Sequence, residues 1–240
     1  MKKRIFLLVA IATLSMTITA CNQNEVKENQ EQNIDPVSEE ITEEKPTDIS
    51  PTGVTVTVPV YELNEEGIIK PEVAKEAISD ITTKVLVAIS NKDFKAMADY
   101  VHPEKGVRFT PYTNVSVDKD VIFSQDDIKN FFENQTVYLW GNYDGSGFDI
   151  SLTPGQYYEE FIYTSDFMNA KEVGYNEVLS GGNIIENQFE VYENAIIVEY
   201  YFPGFDPNFG GADWQSLRLA YELYNNEWKL VGIIHNQYTI

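Results

Sequence analysis

The distribution of aromatic residues decides where this chain can fold. Of its 31 Phe, Tyr and Trp residues, only Phe6 precedes Thr52. Because a core is built from large apolar side chains, the sequence predicts a single globular domain over residues 53–240, a length that suits one core. The chain has one cysteine, Cys21, so no intrachain disulfide can stabilise that domain. Folding must therefore rest on the hydrophobic core.

The segment before Cys21 has the pattern of an export signal. Residues 2–4 are basic, residues 5–12 are apolar, and residues 18–21, Ile-Thr-Ala-Cys, resemble the lipobox of bacterial lipoproteins. The apolar stretch is too short to span ~30 Å of hydrocarbon. The resemblance implies cleavage of the signal peptide over residues 1–20 and lipid on the Cys21 sulfur, where two acyl chains give stable anchoring. The alternative is an ordinary secretory signal that ends at a cysteine. Both place the protein outside the cytoplasm, and the lipoprotein pattern predicts the extracytoplasmic face of the cell membrane.

Residues 21–52 are predicted to form the lipid anchor and a disordered acidic tether. Residues 22–52 contain nine acids against Lys27 and Lys45 and no aromatic residue, a composition that cannot build a core. The alternative is an acidic recognition tail. Without residues 1–20 the chain carries 14 Lys and Arg against 38 Asp and Glu, a formal net charge of −24. Such a charge disfavours nucleic acid and anionic lipid headgroups as partners, and no cofactor is predicted.

The predicted domain begins with helices and ends with strands. Pro71 opens a helix whose apolar residues recur every three or four positions to near Ser90, and a second helix follows from Phe94 to about Val101. Asn225-Asn226 predicts a tight turn between the last two strands, because asparagine tolerates positive φ. The other predicted elements are a strand over 107–112, helices capped by Ser124 and Thr153, and strands over 195–202, 216–223 and 228–235. The fold class is therefore α+β, with N-terminal helices packed on an antiparallel sheet.

This order of elements resembles the nuclear-transport-factor-two-like fold, an α+β family that includes polyketide-cyclase-like enzymes. The resemblance covers residues 70–240. It rests on the helix that ends near Ser90, the Asn91-Lys92-Asp93-Phe94 step into a second helix, and the terminal hairpin from Trp214 to His235. It implies a cone-like domain in which a curved sheet wraps the N-terminal helix and leaves a pocket, the default place for a ligand.

Arg218 and His235 are the candidate ligand-binding residues of that pocket. A two-residue turn at Asn225-Asn226 places Arg218 opposite Ile233, with His235 one diagonal step away on the same sheet face. Such a pair suits an anionic or hydroxylated small molecule. The alternative is structural: Arg218 pairs with a carboxylate, and His235 is a hydrogen-bonded residue of the sheet edge.

Tyr200 and Trp214 flank an aromatic loop rich in Pro and Gly over residues 203–211, and they are further candidate contacts. Aromatic side chains here suit cell-wall sugars or a protein partner. Alternatively, the loop folds its aromatic side chains back over the core. An exposed apolar patch would distinguish the two.

The loop from Asn142 to Asp149 carries oxygen-bearing side chains at alternate positions, as calcium loops do. Position 12 counted from Asn142 is Thr153 and not the bidentate Glu of an EF hand, so a glycine-punctuated turn is predicted and no metal site is assigned. Calcium binding by another geometry stays open.

The sequence contains no hydrolase elbow, phosphate-binding loop or zinc helix. It therefore favours a non-catalytic, lipid-anchored binding module of the bacterial cell envelope. The partner would be a small molecule, a cell-wall fragment or a protein. One alternative is an envelope-acting enzyme with His235 or a carboxylate as acid and base. Another is a scaffold of a membrane complex that uses the aromatic loop.

Overall fold

The computed structural model describes residues 59–239. The predicted signal peptide, the predicted lipidation site at Cys21 and the predicted tether over residues 21–52 lie outside this part of the chain. Among the described residues, no helix is long and apolar enough to cross a lipid bilayer.

The first helix, α1 (Pro71–Ser90), buries one stripe of side chains. Pro71 stands in its first turn, where a missing N–H costs no hydrogen bond. The buried side chains recur at the predicted steps, and they are Ala74, Ile78, Thr82, Val85, Leu86, Ala88 and Ile89. The hydroxyl of Thr82 lies 2.9 Å from that of Tyr200 and 3.1 Å from that of Tyr221. The sheet thus supplies hydrogen-bond partners for Thr82, the polar residue of this buried stripe.

The short helices have the caps that the sequence indicates. Helix α2 (Phe94–Met97) continues only as a 3₁₀ turn over Ala98–Tyr100, because the backbone becomes extended at Val101, ahead of the His-Pro pair. Capping boxes form at α3 (Gln125–Lys129) and α4 (Pro154–Phe161), where the preceding Ser and Thr accept from the backbone N–H three residues on. The last helix is α5 (Gln188–Val191).

Within residues 59–239 the strands form a six-stranded sheet and a separate two-stranded ribbon. The sheet has the order β2-β1-β8-β7-β6-β5 and is antiparallel apart from the parallel β1–β8 pair. Its strands are β1 (Val107–Thr110), β2 (Val121–Phe123), β5 (Glu172–Tyr175), β6 (Ile196–Phe202), β7 (Gln215–Tyr224) and β8 (Glu227–Gln237). The ribbon pairs β3 (Tyr138–Asn142) with β4 (Asp149–Leu152). Because α1 packs against β5 and β6, the predicted α+β class is confirmed.

A β-bulge in the terminal hairpin changes the predicted register. The Asn225-Asn226 turn forms as predicted, with both residues at positive φ. Beyond the turn Tyr221 pairs with Leu230, but Ala220 pairs with Gly232, so β8 holds one extra residue between these two pairs. Since successive side chains on a strand point to opposite faces, the extra residue exchanges the faces of every residue beyond it.

The bulge separates the two residues that the sequence analysis brought together. Arg218 lies opposite Ile234 and not Ile233, while His235 lies opposite Leu217. Leu217 and Arg218 are successive residues of one strand, so Arg218 and His235 are on opposite faces of the sheet. The prediction that they share a face is wrong.

The two faces of the sheet are covered by different parts of the chain. On one face, the helix face, α1, α4 and the ribbon enclose a large core rich in aromatic side chains. The other face is covered by residues 176–195, which we call the strap. Its Tyr192 and Ala195 pack against Ile197, Ala220 and Val231 of the sheet. This second face is the strap face.

Candidate functional site

Arg218 lies on the strap face in a buried network of charges. Its side chain is 1% exposed and binds both carboxylate oxygens of Glu186 in the strap, while Nε lies 3.2 Å from Glu199 Oε1. Burial alone lowers the pKa of Arg218, but the two carboxylates outweigh burial and raise that pKa above its usual value. The structural alternative, an arginine paired with carboxylates, is confirmed.

Ser180 of the strap connects this network to β7 and β8. Its hydroxyl donates to Glu199 and accepts from Arg218 Nη2 at 3.0 Å and from Asn236 Nδ2 at 3.1 Å. It also lies 3.2 Å from Ser216 Oγ. These five side chains are buried. The network therefore holds the strap on the sheet and offers no surface to a ligand.

His235 lies on the helix face against an aromatic ring of α4. It is fully buried, its ring centroid is 5.7 Å from that of Phe161, and Nε2 lies 3.2 Å from Gln237 Oε1. Burial lowers the pKa of His235 to about 4, so the imidazole is neutral near pH ~7. Among the described residues Nδ1 has no hydrogen-bond partner.

Tyr200 and Trp214 are also buried, on opposite faces of the sheet. Tyr200 bonds to Thr82 in the core of the helix face, whereas Trp214 packs beside Gly182 of the strap. The core of the helix face, where the resemblance implies a pocket, is filled by large side chains. Those that are fully buried include Phe109, Trp140, Tyr157, Phe167 and Tyr221. The predicted pocket with Arg218 and His235 facing inward is therefore not formed.

The aromatic loop over residues 203–211 is partly folded back and partly exposed. Phe202, which precedes it, is buried and lies 5.1 Å from Phe205, ring centroid to ring centroid. Phe205 and Phe209 are themselves 52% and 61% exposed. Asp213 Oδ2 accepts from the backbone N–H of Phe205 and of Asp206 and fixes the loop. The two exposed rings leave a small apolar surface on this loop.

A cavity of about 400 Å³, which we call the Asp120 cavity, opens beside β1 and β3. Its lining comes from six residues of the segment that follows β1, from most of residues 140–147 at the end of β3, and from Ile184 of the strap; the six are Pro111, Tyr112, Asn114, Ser116, Lys119 and Asp120. Tyr112, Trp140 and Tyr143 give it aromatic walls. The four ligand contacts predicted from the sequence do not line it.

Asp120 is held in the wall of this cavity through one carboxylate oxygen. Oδ2 accepts from the Thr110 hydroxyl at 2.6 Å and from the Ser116 backbone N–H at 3.0 Å. The hydrogen bonds of the described residues leave Oδ1 without a donor. Burial raises the pKa of Asp120, although the two hydrogen bonds and Arg108 act in the opposite direction. A fixed, half-buried carboxyl group thus lines the cavity, and one of its oxygens takes no part in these two hydrogen bonds.

Two tyrosines lie near this carboxyl group or in the cavity lining, Tyr157 and Tyr143. The Tyr157 ring stacks on Trp140 with centroids 3.8 Å apart, and its hydroxyl is buried with no hydrogen-bond partner among the described residues. Burial, and then the Asp120 charge, raise the pKa of Tyr157 well above its usual value. A hydrogen bond to Glu160 and burial raise the pKa of Tyr143 to about 12. These hydroxyls therefore stay protonated and act as hydrogen-bond groups near neutral pH.

A second β-bulge shapes the aromatic wall. The β3–β4 register shifts between Leu139 and Asn142, so the irregular pair Trp140-Gly141 lies in the cavity wall. Gly141 has a φ of 145°, and a Cβ there would lie 3.3 Å from the Pro111 ring. Only glycine suits that conformation and that close approach.

Two exposed apolar residues are next in sequence to residues that line the cavity. Phe148 and Ile185 are 76% and 79% exposed, and they directly follow the lining residues Gly147 and Ile184. Asn114 Nδ2 donates to the Ile185 carbonyl at 3.2 Å and ties the strap to the cavity lining.

The loop from Asn142 to Asp149, which the sequence analysis considered as a calcium site, contributes residues to the wall of the Asp120 cavity. It is the predicted glycine turn, with Gly145 and Gly147 at positive φ and Asn142 Nδ2 bonded to Asp149 Oδ1 at 3.0 Å. No group of three or more metal-ligating side chains occurs among the described residues.

No protein-family model matches this sequence, and no curated protein matches it. Solved structures that are similar to part of this chain include the following two. A substituted form of the protein Rd1NTF2_05 is 12% identical, with 68% of this chain and 97% of that chain covered and a TM-score of 0.30. A protein from Xanthomonas campestris, described as a calcium/calmodulin dependent protein kinase II association domain, is 12% identical, with 68% and 85% covered and a TM-score of 0.28. TM-scores this low do not bear on what the cavity binds.

Proposed function

We propose that this chain is a lipid-anchored binding module on the extracytoplasmic face of the bacterial cell membrane, and that the Asp120 cavity takes its ligand. The lipobox pattern that ends at Cys21 supports the anchor and the location. The observation that carries the binding site is the Asp120 carboxylate, fixed through Oδ2 with Oδ1 left for a donor inside a cavity with aromatic walls. Concave, mostly apolar sites with a few fixed polar groups are where small ligands bind.

The chemistry of the lining favours a neutral, hydroxylated ligand such as a wall sugar. A hydroxyl can donate to Asp120 Oδ1, and the half-buried rings of Tyr112 and Tyr143 can cover the apolar side of a sugar ring. The formal net charge of the whole chain, −21, opposes an anionic ligand.

The proposal is tested by calorimetric titration of the full chain with neutral disaccharides that contain N-acetylglucosamine. Asp120→Asn keeps an acceptor for Thr110 and Ser116 but removes the charge, and we expect it to weaken binding about tenfold, since charge-assisted hydrogen bonds are roughly twice as strong as neutral ones. Asp118→Asn, a nearby exposed acid outside the cavity, is the matched control and should bind normally. Absence of binding, or equal weakening by both substitutions, would contradict the proposal.

A second candidate function is an enzyme in which Asp120, and not His235, transfers the proton. The observation that favours it is the raised pKa of a carboxyl group that faces a cavity, a common property of general acids and bases. Product analysis after incubation with the same disaccharides separates the two functions. An enzyme would release products and lose turnover in Asp120→Asn while retaining part of the binding; a binding module would release none.

A further inference from the structure

A larger groove, with a separate lining, lies along α1. It has a volume of about 710 Å³ and is bounded by α1, residues 99–100 and the turn of the β7–β8 hairpin, with Tyr61 at its edge. We call it the α1 groove. It shares no lining residue with the Asp120 cavity.

The floor of the α1 groove is apolar and aromatic. The rings of Tyr61 and Trp228 lie 5.6 Å apart, centroid to centroid. Val73, Ala77 and Ile81 of α1 are partly buried at four-residue steps and form a second stripe beside the one that faces the sheet. The sheet leaves this stripe open to the groove.

The rim of the groove is acidic. Glu76, Asp99 and Glu227 are exposed there, and Lys229 is the one cation among the lining residues. Lys229 Nζ lies 2.9 Å from Glu227 Oε2 and 3.2 Å from the Asp99 backbone carbonyl, so its charge is already paired. No described Lys or Arg makes an ion pair with the Glu76 or Asp99 carboxylate. The groove therefore has two carboxylates without an ion-pair partner, Glu76 and Asp99, although Lys129 lies close enough to Asp99 for that charge to raise the lysine pKa.

We infer that the α1 groove binds a basic segment of a partner protein, whose Arg or Lys side chains pair with Glu76 and Asp99. Guanidinium and ammonium groups are also attracted to the faces of aromatic rings such as Tyr61 and Trp228. Apolar side chains of the same segment would cover the Val73-Ala77-Ile81 stripe, as in other complexes where a peptide lies in a groove. Nucleic acid and anionic lipid are repelled by the same charges.

The test is fluorescence anisotropy of a labelled, end-capped peptide of alternating Arg and Leu, titrated with the full chain. The counterpart with Glu in place of Arg should not bind. The double variant Glu76→Gln/Asp99→Asn should weaken binding about tenfold, because rim charges of an interface fix its specificity. Glu177→Gln/Glu193→Gln removes two exposed acids outside the groove and leaves the net charge the same as in the first double variant, so it is the matched control.

Each outcome decides the inference. Selective loss in the groove variant supports it. Equal loss in both double variants would show attraction to the net charge alone, and absence of binding, or equal binding of the acidic peptide, would also overturn it. Tyr61→Ser is a second variant, which leaves the charges unchanged. It should weaken binding of the same Arg-Leu peptide. Thermal unfolding confirms that each variant is folded.

Discussion

At the scale of single residues, His235 makes the stability of the domain depend on pH. The pKa of an unfolded histidine is ~6.5, and burial lowers the folded value to about 4. Between these two values the unfolded chain binds a proton that the folded chain does not. The contribution of His235 to the free energy of unfolding is therefore fully present above pH ~6.5 and is lost as the pH falls toward ~4. The whole shift corresponds to about 3 kcal/mol.

We expect His235→Leu to remove this pH dependence. Urea unfolding of the full chain at pH ~7 and pH ~4.5 should show a smaller loss of unfolding free energy on acidification in the variant than in the natural chain. His102→Gln is the comparison: burial also lowers the pKa of His102, which lies elsewhere, against Tyr224, so this variant should remove a separate part of the acid sensitivity. An unchanged slope in His235→Leu would show that other groups carry the acid sensitivity.

Residue types in the sequence indicated some roles and concealed others. The sequence left Arg218 two alternative roles, a ligand contact or a partner of a carboxylate. The second could be foreseen because a buried arginine needs a negatively charged partner, and this chain is rich in acids. Asp120 had no distinguishing signal. It is one of 38 acids, and its position depends on a hydrogen bond from Thr110, ten residues away. Only the folded chain shows which carboxylate faces a cavity.

At the scale of elements, local patterns predicted helices α1 to α4 and the terminal hairpin, but not α5, because caps, periodicity and turn residues act within a few positions. The bulge in β8 was not predicted, and it lies where the strap packs against the sheet. Gly232 lies at the bulge, where a Cβ would be 2.5 Å from the Tyr192 hydroxyl oxygen and 2.8 Å from its Cζ. Sequence patterns do not reveal such a close approach, and one unseen residue exchanged the faces of Ile233, Ile234 and His235.

This contact predicts that Gly232→Ala destabilises the domain by about 1–3 kcal/mol, the usual cost of overpacking. Tyr192→Phe removes the nearest atom, so Gly232→Ala/Tyr192→Phe should lose less stability than the sum of the two single changes. Gly181→Ala is the control, because a Cβ there meets nothing within 4 Å. Urea unfolding measures all four variants. Additive costs would mean that Tyr192 does not limit the size of residue 232.

At the scale of the whole molecule, the domain is a sheet with two unlike coverings. The helix face is sealed by aromatic side chains, whereas the strap face is sealed by a small apolar cluster and the Arg218 network. The Asp120 cavity lies where segments from both coverings meet, since its lining includes Trp140 of the aromatic core and Ile184 of the strap. The attachment of the strap therefore helps to shape the proposed ligand site.

The Arg218 network predicts how strongly the strap is attached. Arg218→Met leaves Glu199, whose side chain is 1% exposed, as an unpaired buried charge, a change that typically costs about 3–5 kcal/mol. Glu199→Gln in the same chain should recover part of this loss, because the neutral amide oxygen can still accept from the Leu179 backbone N–H. Lys70→Met breaks only an exposed ion pair with Glu62 and should have no measurable effect.

Two measurements on these variants distinguish a general loss of stability from release of the strap. Urea unfolding gives the free energies, and limited proteolysis shows whether cleavage within residues 176–195 becomes faster than global unfolding, as expected if the strap opens locally. Cleavage within the strap should be fastest in Arg218→Met. It should be slower in the double variant Arg218→Met/Glu199→Gln than in Arg218→Met. If Arg218→Met costs no more than Lys70→Met, the apolar cluster around Tyr192 holds the strap without the charges. The shape of the Asp120 cavity would then depend on that cluster alone.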